Sequence, residues 1–217
     1  MRRWILLLAL LVGGLFPTWA TSQHDYDGRL LSFEESASPF EALQGSTLSI
    51  SDQHYKHGHH SAVWQWSEQG AQVAIRREIE YLKENPNPKE TSVSTFVFWL
   101  YAPERVEGTL RFEFRKEGRT CSWFDYELGF EGWRGSWVAF DRDMEGTPEE
   151  GMDEVVVTAL NTPQGELLFD HWILSSFQDV RHHTADLHAP FVNKETTSHW
   201  LVLVQSWQQE LDNFTPG

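Results

Sequence analysis

Seven consecutive residues, Thr95–Tyr101 (Thr-Phe-Val-Phe-Trp-Leu-Tyr), leave little choice of backbone. All but Leu100 are β-branched or aromatic, and Pro86, Pro88 and Pro103 bound the run, so it reads as a strand. Phe96, Phe98 and Leu100 line one face, and Val97, Trp99 and Tyr101 the other. Both faces are apolar, which places the strand inside a sheet whose second face is also covered. One face of a β-sandwich sheet packs on the core and the other normally meets water. The expected second cover is a bound ligand, such as a sugar on Trp99 and Tyr101, or another domain.

The rest of the chain repeats this pattern in shorter pieces. Strands are expected at Leu30–Glu34, Thr47–Ser51, Ser61–Trp66, Val73–Arg76, Thr109–Arg115, Ser122–Phe130, Ser136–Phe140, Val155–Ala159 and Leu167–Leu174. Thr109–Arg115 alternates cleanly, with Leu110, Phe112 and Phe114 inward. Gly108 and Gly118 mark hairpin turns, and Gly132–Gly135 reads as a turn as well. Asp52–His60 reads as a loop carrying four histidines around Gly58. About ten short strands at near-regular spacing, with no helical pattern before residue 190, make an all-β sandwich or jelly roll.

The chain has 217 residues, enough for one well-buried domain. Residues 1–20 read as a secretory signal: Arg2 and Arg3, an apolar run Trp4–Phe16, then Thr18-Trp19-Ala20 as the cleavage site. That run is about 13 residues, short of the roughly 20 that span a membrane. A net charge of −15 argues against nucleic-acid binding, and any anionic ligand must find a local basic patch. The lone Cys121 allows no internal disulfide. Export without a disulfide points to the periplasm or the extracellular space. In the tail, Trp200, Leu203, Val204, Trp207 and Leu211 form one apolar helical stripe after a Ser198 N-cap. A lone helix of that length is marginal in water and is expected to begin a further helical domain.

The ordered set Leu48-Ser49-Ile50-Ser51-Asp52, Gly58, Ser61, Trp64-Gln65-Trp66, Phe98-Trp99-Leu100-Tyr101, Gly132-Trp133-Arg134 and Phe169-Asp170 resembles the N-terminal domain of chondroitin sulfate ABC lyases. The resemblance runs from about Leu30 to Asn193. It implies a jelly-roll β-sandwich like carbohydrate-binding modules over residues 21–180. It further implies that residues 181–217 are a linker and the first helix of an α/α toroid, where the family's catalytic residues lie. No catalytic residue is therefore assigned in this chain. The implied role is non-catalytic: supporting a chondroitin and dermatan sulfate lyase and guiding the polysaccharide. The glycosaminoglycan is met directly or through the catalytic domain. A free-standing carbohydrate-binding module and a small jelly-roll enzyme are the alternatives.

Three groups of residues are candidate sites. The resemblance suggests a structural calcium held by Glu34 (or Glu35), Asp170 and the loop around Gly58, since Ca²⁺ takes six to eight oxygens. The plainer reading is that Glu34 and Asp170 are solvated or paired with arginine. His54, His57, His59 and His60 have the spacing zinc favours, but a polar loop between strands supplies no fixed geometry, and a solvated loop is expected. Trp99, Tyr101, Trp133 and Arg134 are the sugar-binding set, with Trp64, Trp66, Arg76 and Arg111 as further parts. Aromatic faces stack on pyranose rings, and Arg forks bind carboxylate or sulfate. Against this, most of the 11 tryptophans of one sandwich must be core or interface.

Overall fold

The computed structural model describes residues 30–31, 33–34, 40–87, 89 and 91–178. The leader-like residues 1–20, Glu35 and the 181–217 tail lie outside them. Among the described residues the order is β1 (Leu30–Leu31), β2 (Phe40–Ala42), β3 (Ser46–Ser51), β4 (Ser61–Trp66), β5 (Gln72–Ile79), β6 (Val93–Ala102), β7 (Thr109–Lys116), β8 (Arg119–Glu127) and β9 (Gly132–Ala139). A one-turn helix α1 (Phe140–Asp143) follows, then β10 (Glu145–Gly146), β11 (Met152–Ala159) and β12 (Gly165–Gln178).

Two antiparallel sheets pack face to face. The first runs β3-β4-β12-β6-β9, with β1 also paired to β12, and the second runs β10-β8-β7-β11-β5-β2. This is the all-β jelly-roll sandwich expected from the sequence. The alternation of β6 survives intact: Phe96, Phe98 and Leu100 are fully buried between the sheets. They meet the inward residues of the facing sheet, Phe98 lying 5.0 Å from Phe112 and Phe96 edge-on to Phe114 at 5.2 Å. Each such ring contributes roughly 1.5–3 kcal/mol by leaving water. The hairpin at Glu117-Gly118 has both residues at positive φ, 51° and 76°, the twist a two-residue turn between right-twisted strands requires.

Several boundaries differ from the expectation, each for a physical reason. Gly132–Gly135 is not a turn but the first half of β9, paired residue for residue with β6 from Ala102 to Trp99. Gly135 is small because Trp99 stands opposite it: an added Cβ would come within 2.7 Å of the indole. Phe140 leaves the strand to begin α1 and packs on Tyr81 and Phe114. β2, β10 and the long ends of β5 and β12 have weak side-chain alternation and form through pairing with neighbours that are already in place.

The most consequential departure is a bulge in β12. Asp170 pairs with Trp99, yet Ile173 pairs with Val97, so β12 spends one residue more than β6 across this step. His171 takes φ 50°, a left-handed value rare outside glycine. The extra residue changes the face of the residues that follow, until a second shift between Ile173 and Ser176. Phe169 and Trp172 therefore both point into the core while Asp170 points out. Trp172 becomes the centre of the aromatic cluster, 5.0 Å from Phe169, 5.4 Å from Phe96 and 5.8 Å from Phe112. Its indole N–H donates to the Trp99 carbonyl at 3.2 Å. Trp172→Ala is expected to cost about 3–5 kcal/mol in urea unfolding. A loss under about 1 kcal/mol would show that the bulge does not organise the core.

Candidate functional site

The outer face of the first sheet is covered by the chain itself. Residues 52–60, between β3 and β4, cross it as a strap. Their backbone is tied down by two carboxylates. The N–H groups of Lys56 and His57 both donate to one oxygen of Asp170, the latter at 2.8 Å, and the His171 N–H donates to the other at 2.7 Å. The N–H of His59 lies 2.9 Å from each Glu34 oxygen, and that of His60 donates at 3.0 Å. Gly58 turns the strap between these anchors at φ 67°. The Glu34 carboxylate packs so closely on it that a Cβ would overlap the side chain.

The anchors bring strap side chains down onto the sheet. His54 stacks on Tyr101 with ring centroids 4.1 Å apart, and the Tyr101 hydroxyl lies 3.1 Å from its Nε2. The Lys56 ammonium stands 4.9 Å from the Trp99 ring centroid and 5.0 Å from that of Trp133. Trp133 leans on Tyr101 at 5.2 Å, and Trp137 meets Trp99 edge-on at 6.1 Å. The strap thus lies on the second apolar face of β6, a cover not foreseen from sequence, and leaves Trp99, Tyr101 and Trp133 partly exposed. Lys56 was missed because a lysine in a polar loop carries no periodic signal. The odd apolar outer face was the available hint.

The remaining candidates divide. Trp99, Tyr101 and Trp133 come together as expected, all partly exposed. Arg134 does not join them. It pairs with Leu100, faces the other way and is only 5% exposed. Its guanidinium lies over Tyr126 and Phe130, and Nη1 donates to the Glu127 carbonyl. One residue of offset along a strand changes the face, and Arg134 is one residue from Trp133. Trp64 and Trp66 are core. Arg76 and Arg111 lie on the far sheet, Arg76 paired with Glu41 and Glu154, and Arg111 gripping Asp125 through two bonds of 2.7 and 2.8 Å. The four strap histidines face different neighbours: His54 meets Tyr101, His57 meets His171, His59 meets Tyr55 and His60 meets Glu34. A groove between residues 104–107 and 162–166 is lined by Glu104, Glu107 and Glu166 around Arg105, unsuited to an anion.

Against this geometry stand the comparisons. The family described as "Lyase, N terminal" matches residues 27–191. The chain belongs to that family. The chondroitin sulfate ABC exolyase of Bacteroides thetaiotaomicron is 41% identical over 196 residues, 89% of this chain and 19% of that protein. The chondroitin sulfate ABC exolyase of Proteus vulgaris is 33% identical over 175 residues, 80% of this chain and 17% of that protein. This lyase N-terminal chain therefore spans under a fifth of the length of these curated relatives. An exo-β-agarase superposes with a TM-score of 0.52 at 6% identity over 69% of this chain and 25% of that one, a likeness of fold alone. No helix among the described residues is long and apolar enough to cross a membrane.

Titration tests the anchor. Burial pushes the Asp170 carboxyl up to about 6, against the N–H groups of His57, Lys56 and His171, while the Glu34 charge pushes it further up. Burial pushes the His171 imidazole down to about 4, helped by His57 and Lys56. Between about pH 4 and 6 the folded Asp170 holds a proton that the unfolded carboxyl has released, so its contribution to stability falls as pH rises. From about 4 to 6.5 the unfolded His171 holds a proton that the folded ring refuses, so its contribution rises with pH. The two slopes oppose each other. In Asp170→Asn only the histidine slope remains. The melting temperature of the variant relative to the parent is expected to fall as pH is lowered from 6.5 to 4. Parallel profiles in thermal melts would contradict this.

Proposed function

We propose that this chain is the non-catalytic N-terminal domain of a chondroitin and dermatan sulfate lyase. It supports the enzyme's catalytic domain and guides the polysaccharide. The observation that carries this reading is the 41% identity across 89% of the chain with one part of a chondroitin sulfate ABC exolyase. Chemistry within the described residues supports it. β-Elimination on a uronate needs the carboxylate neutralised, a base at the C5 proton and an acid at the leaving O4. His171, the ring beside the Asp170 carboxylate, is half-buried, and desolvation pushes its imidazole down to about 4, which makes it a weak base. Export to the periplasm or the extracellular medium is part of the same proposal.

The full chain, incubated with chondroitin or dermatan sulfate, is expected to release no unsaturated disaccharide by absorbance. A rise in absorbance that His171→Ala abolishes would favour the small jelly-roll enzyme instead.

Calcium belongs to this proposal as a competing use of the same carboxylates. Glu34, Gly58 and Asp170 converge, but the groups facing the two carboxylates are backbone N–H donors, whereas calcium wants oxygens. This donor set does not fit the ion, and the anchoring role is the one the geometry favours. The melting temperature is expected to be the same with and without chelator. A melt lowered by EDTA, restored by calcium and made unresponsive in Asp170→Asn would assign the carboxylates to the cation.

A further inference from the structure

We propose that β3 is an association edge, along which two copies of this chain pair antiparallel and join their first sheets into one. The inference stands apart from the lyase reading above.

A sheet edge points unpaired N–H and C=O groups at solvent, and proteins ordinarily blunt it by brevity or by charge. Among the described residues, the other edges of this sandwich are blunted. β1, β2 and β10 are two, three and two residues long, and β2 and β10 carry Glu41 and Glu145. β9 is longer, but none of its residues is exposed, and it turns the buried Arg134 inward. β3 has neither device. Its six residues, Ser-Thr-Leu-Ser-Ile-Ser, include no charge and no proline, and Thr47, Ser49 and Ile50 are exposed. At the same edge Leu48 is only partly buried against the core.

The hydrogen-bond pattern shows which groups are left over. β3 ends the first sheet and pairs with β4, from Ser46 opposite Trp66 to Ser51 opposite Ser61. The Ser67 N–H donates to the Gly45 carbonyl, which extends this register, while the Ser46 N–H turns away to the Leu43 carbonyl. Bonding residues alternate along an antiparallel strand. Thr47, Ser49 and Ser51 therefore bond β4, and Leu48 and Ile50 direct their N–H and C=O groups outward.

This pattern complements itself. Two antiparallel copies related by a two-fold axis at Ser49 set Leu48 of each opposite Ile50 of the other. Each such pair exchanges both of its N–H···O bonds and brings two branched apolar side chains together. The same register places Asp52 opposite Ser46, so no like charges meet. The contact is isologous and closes at a dimer, because the remaining edges are blunted. Opposed residues of an antiparallel pair share a face, so both straps look out from the same side of the joined sheet.

The test is sedimentation velocity of the full chain over a rising concentration series. A six-residue edge buries less than the about 1,200 Å² of a standard interface, so a weak monomer–dimer equilibrium is expected. The net charge of −15 opposes it, and salt is expected to strengthen it. Ile50→Lys is expected to weaken association at least about tenfold. Val93→Lys, at a comparably exposed apolar residue in β6, is expected to associate like the parent. Ser49→Cys is expected to give a disulfide-linked dimer on oxidation, since non-hydrogen-bonded partners stand about 4.5 Å apart at Cα. The parent, whose lone Cys121 is buried, is expected to give none. A chain that stays monomeric at every concentration overturns the proposal and leaves the edge to a strand of another protein. So does a dimer that Ile50→Lys leaves unchanged, or a Ser49→Cys variant that fails to cross-link. The lyase-domain reading survives each of these results, since it fails on disaccharide release instead.

Discussion

A single buried carboxylate, Asp170, joins the two halves of this structure. It faces outward by ordinary alternation from Phe169, and the bulge that follows sends Trp172 inward to the middle of the aromatic core. Outside, it collects the N–H groups of Lys56, His57 and His171. A carboxylate so placed faces the cost of burial, visible in the upward shift of its pKa, and the three donors oppose that shift. Core packing and the cover of the outer face therefore meet within three residues of β12, Asp170 holding the strap and Trp172 the core.

This arrangement explains a face that the sequence leaves unresolved. Trp99, Tyr101 and Trp133 would form an apolar patch on a sheet of an acidic protein. Such a patch is a liability unless something lies on it. A strap bearing His54 and Lys56 lies on it, the imidazole stacked on Tyr101 and the ammonium over the two indoles.

What was legible in the sequence was whatever alternation alone decides. The faces of Thr95–Tyr101 and Thr109–Arg115 were readable residue by residue, because each inward side chain there is apolar and fully buried. The convergence of Glu34, Gly58 and Asp170 was legible through the family resemblance, but whether N–H or oxygen atoms would face those carboxylates was not. Alternation misled where one residue is added or where glycine serves a neighbour. Phe169-Asp170-His171-Trp172 breaks period two at the bulge, and Gly132–Gly135 looks like a turn although Gly135 is small for the sake of Trp99. Arg134 was grouped with Trp133 by adjacency, and adjacency on a strand means opposite faces.

The central claim, that Asp170 holds the strap onto the outer face, is tested most directly by amide hydrogen exchange at Lys56 and His57. Both N–H groups donate to a buried carboxylate, so the account predicts strong protection in the parent protein. In Asp170→Ala that protection is predicted to vanish while the amides of β7 and β11 stay protected. Rapid exchange at Lys56 and His57 in the parent, or unchanged protection in the variant, would contradict it.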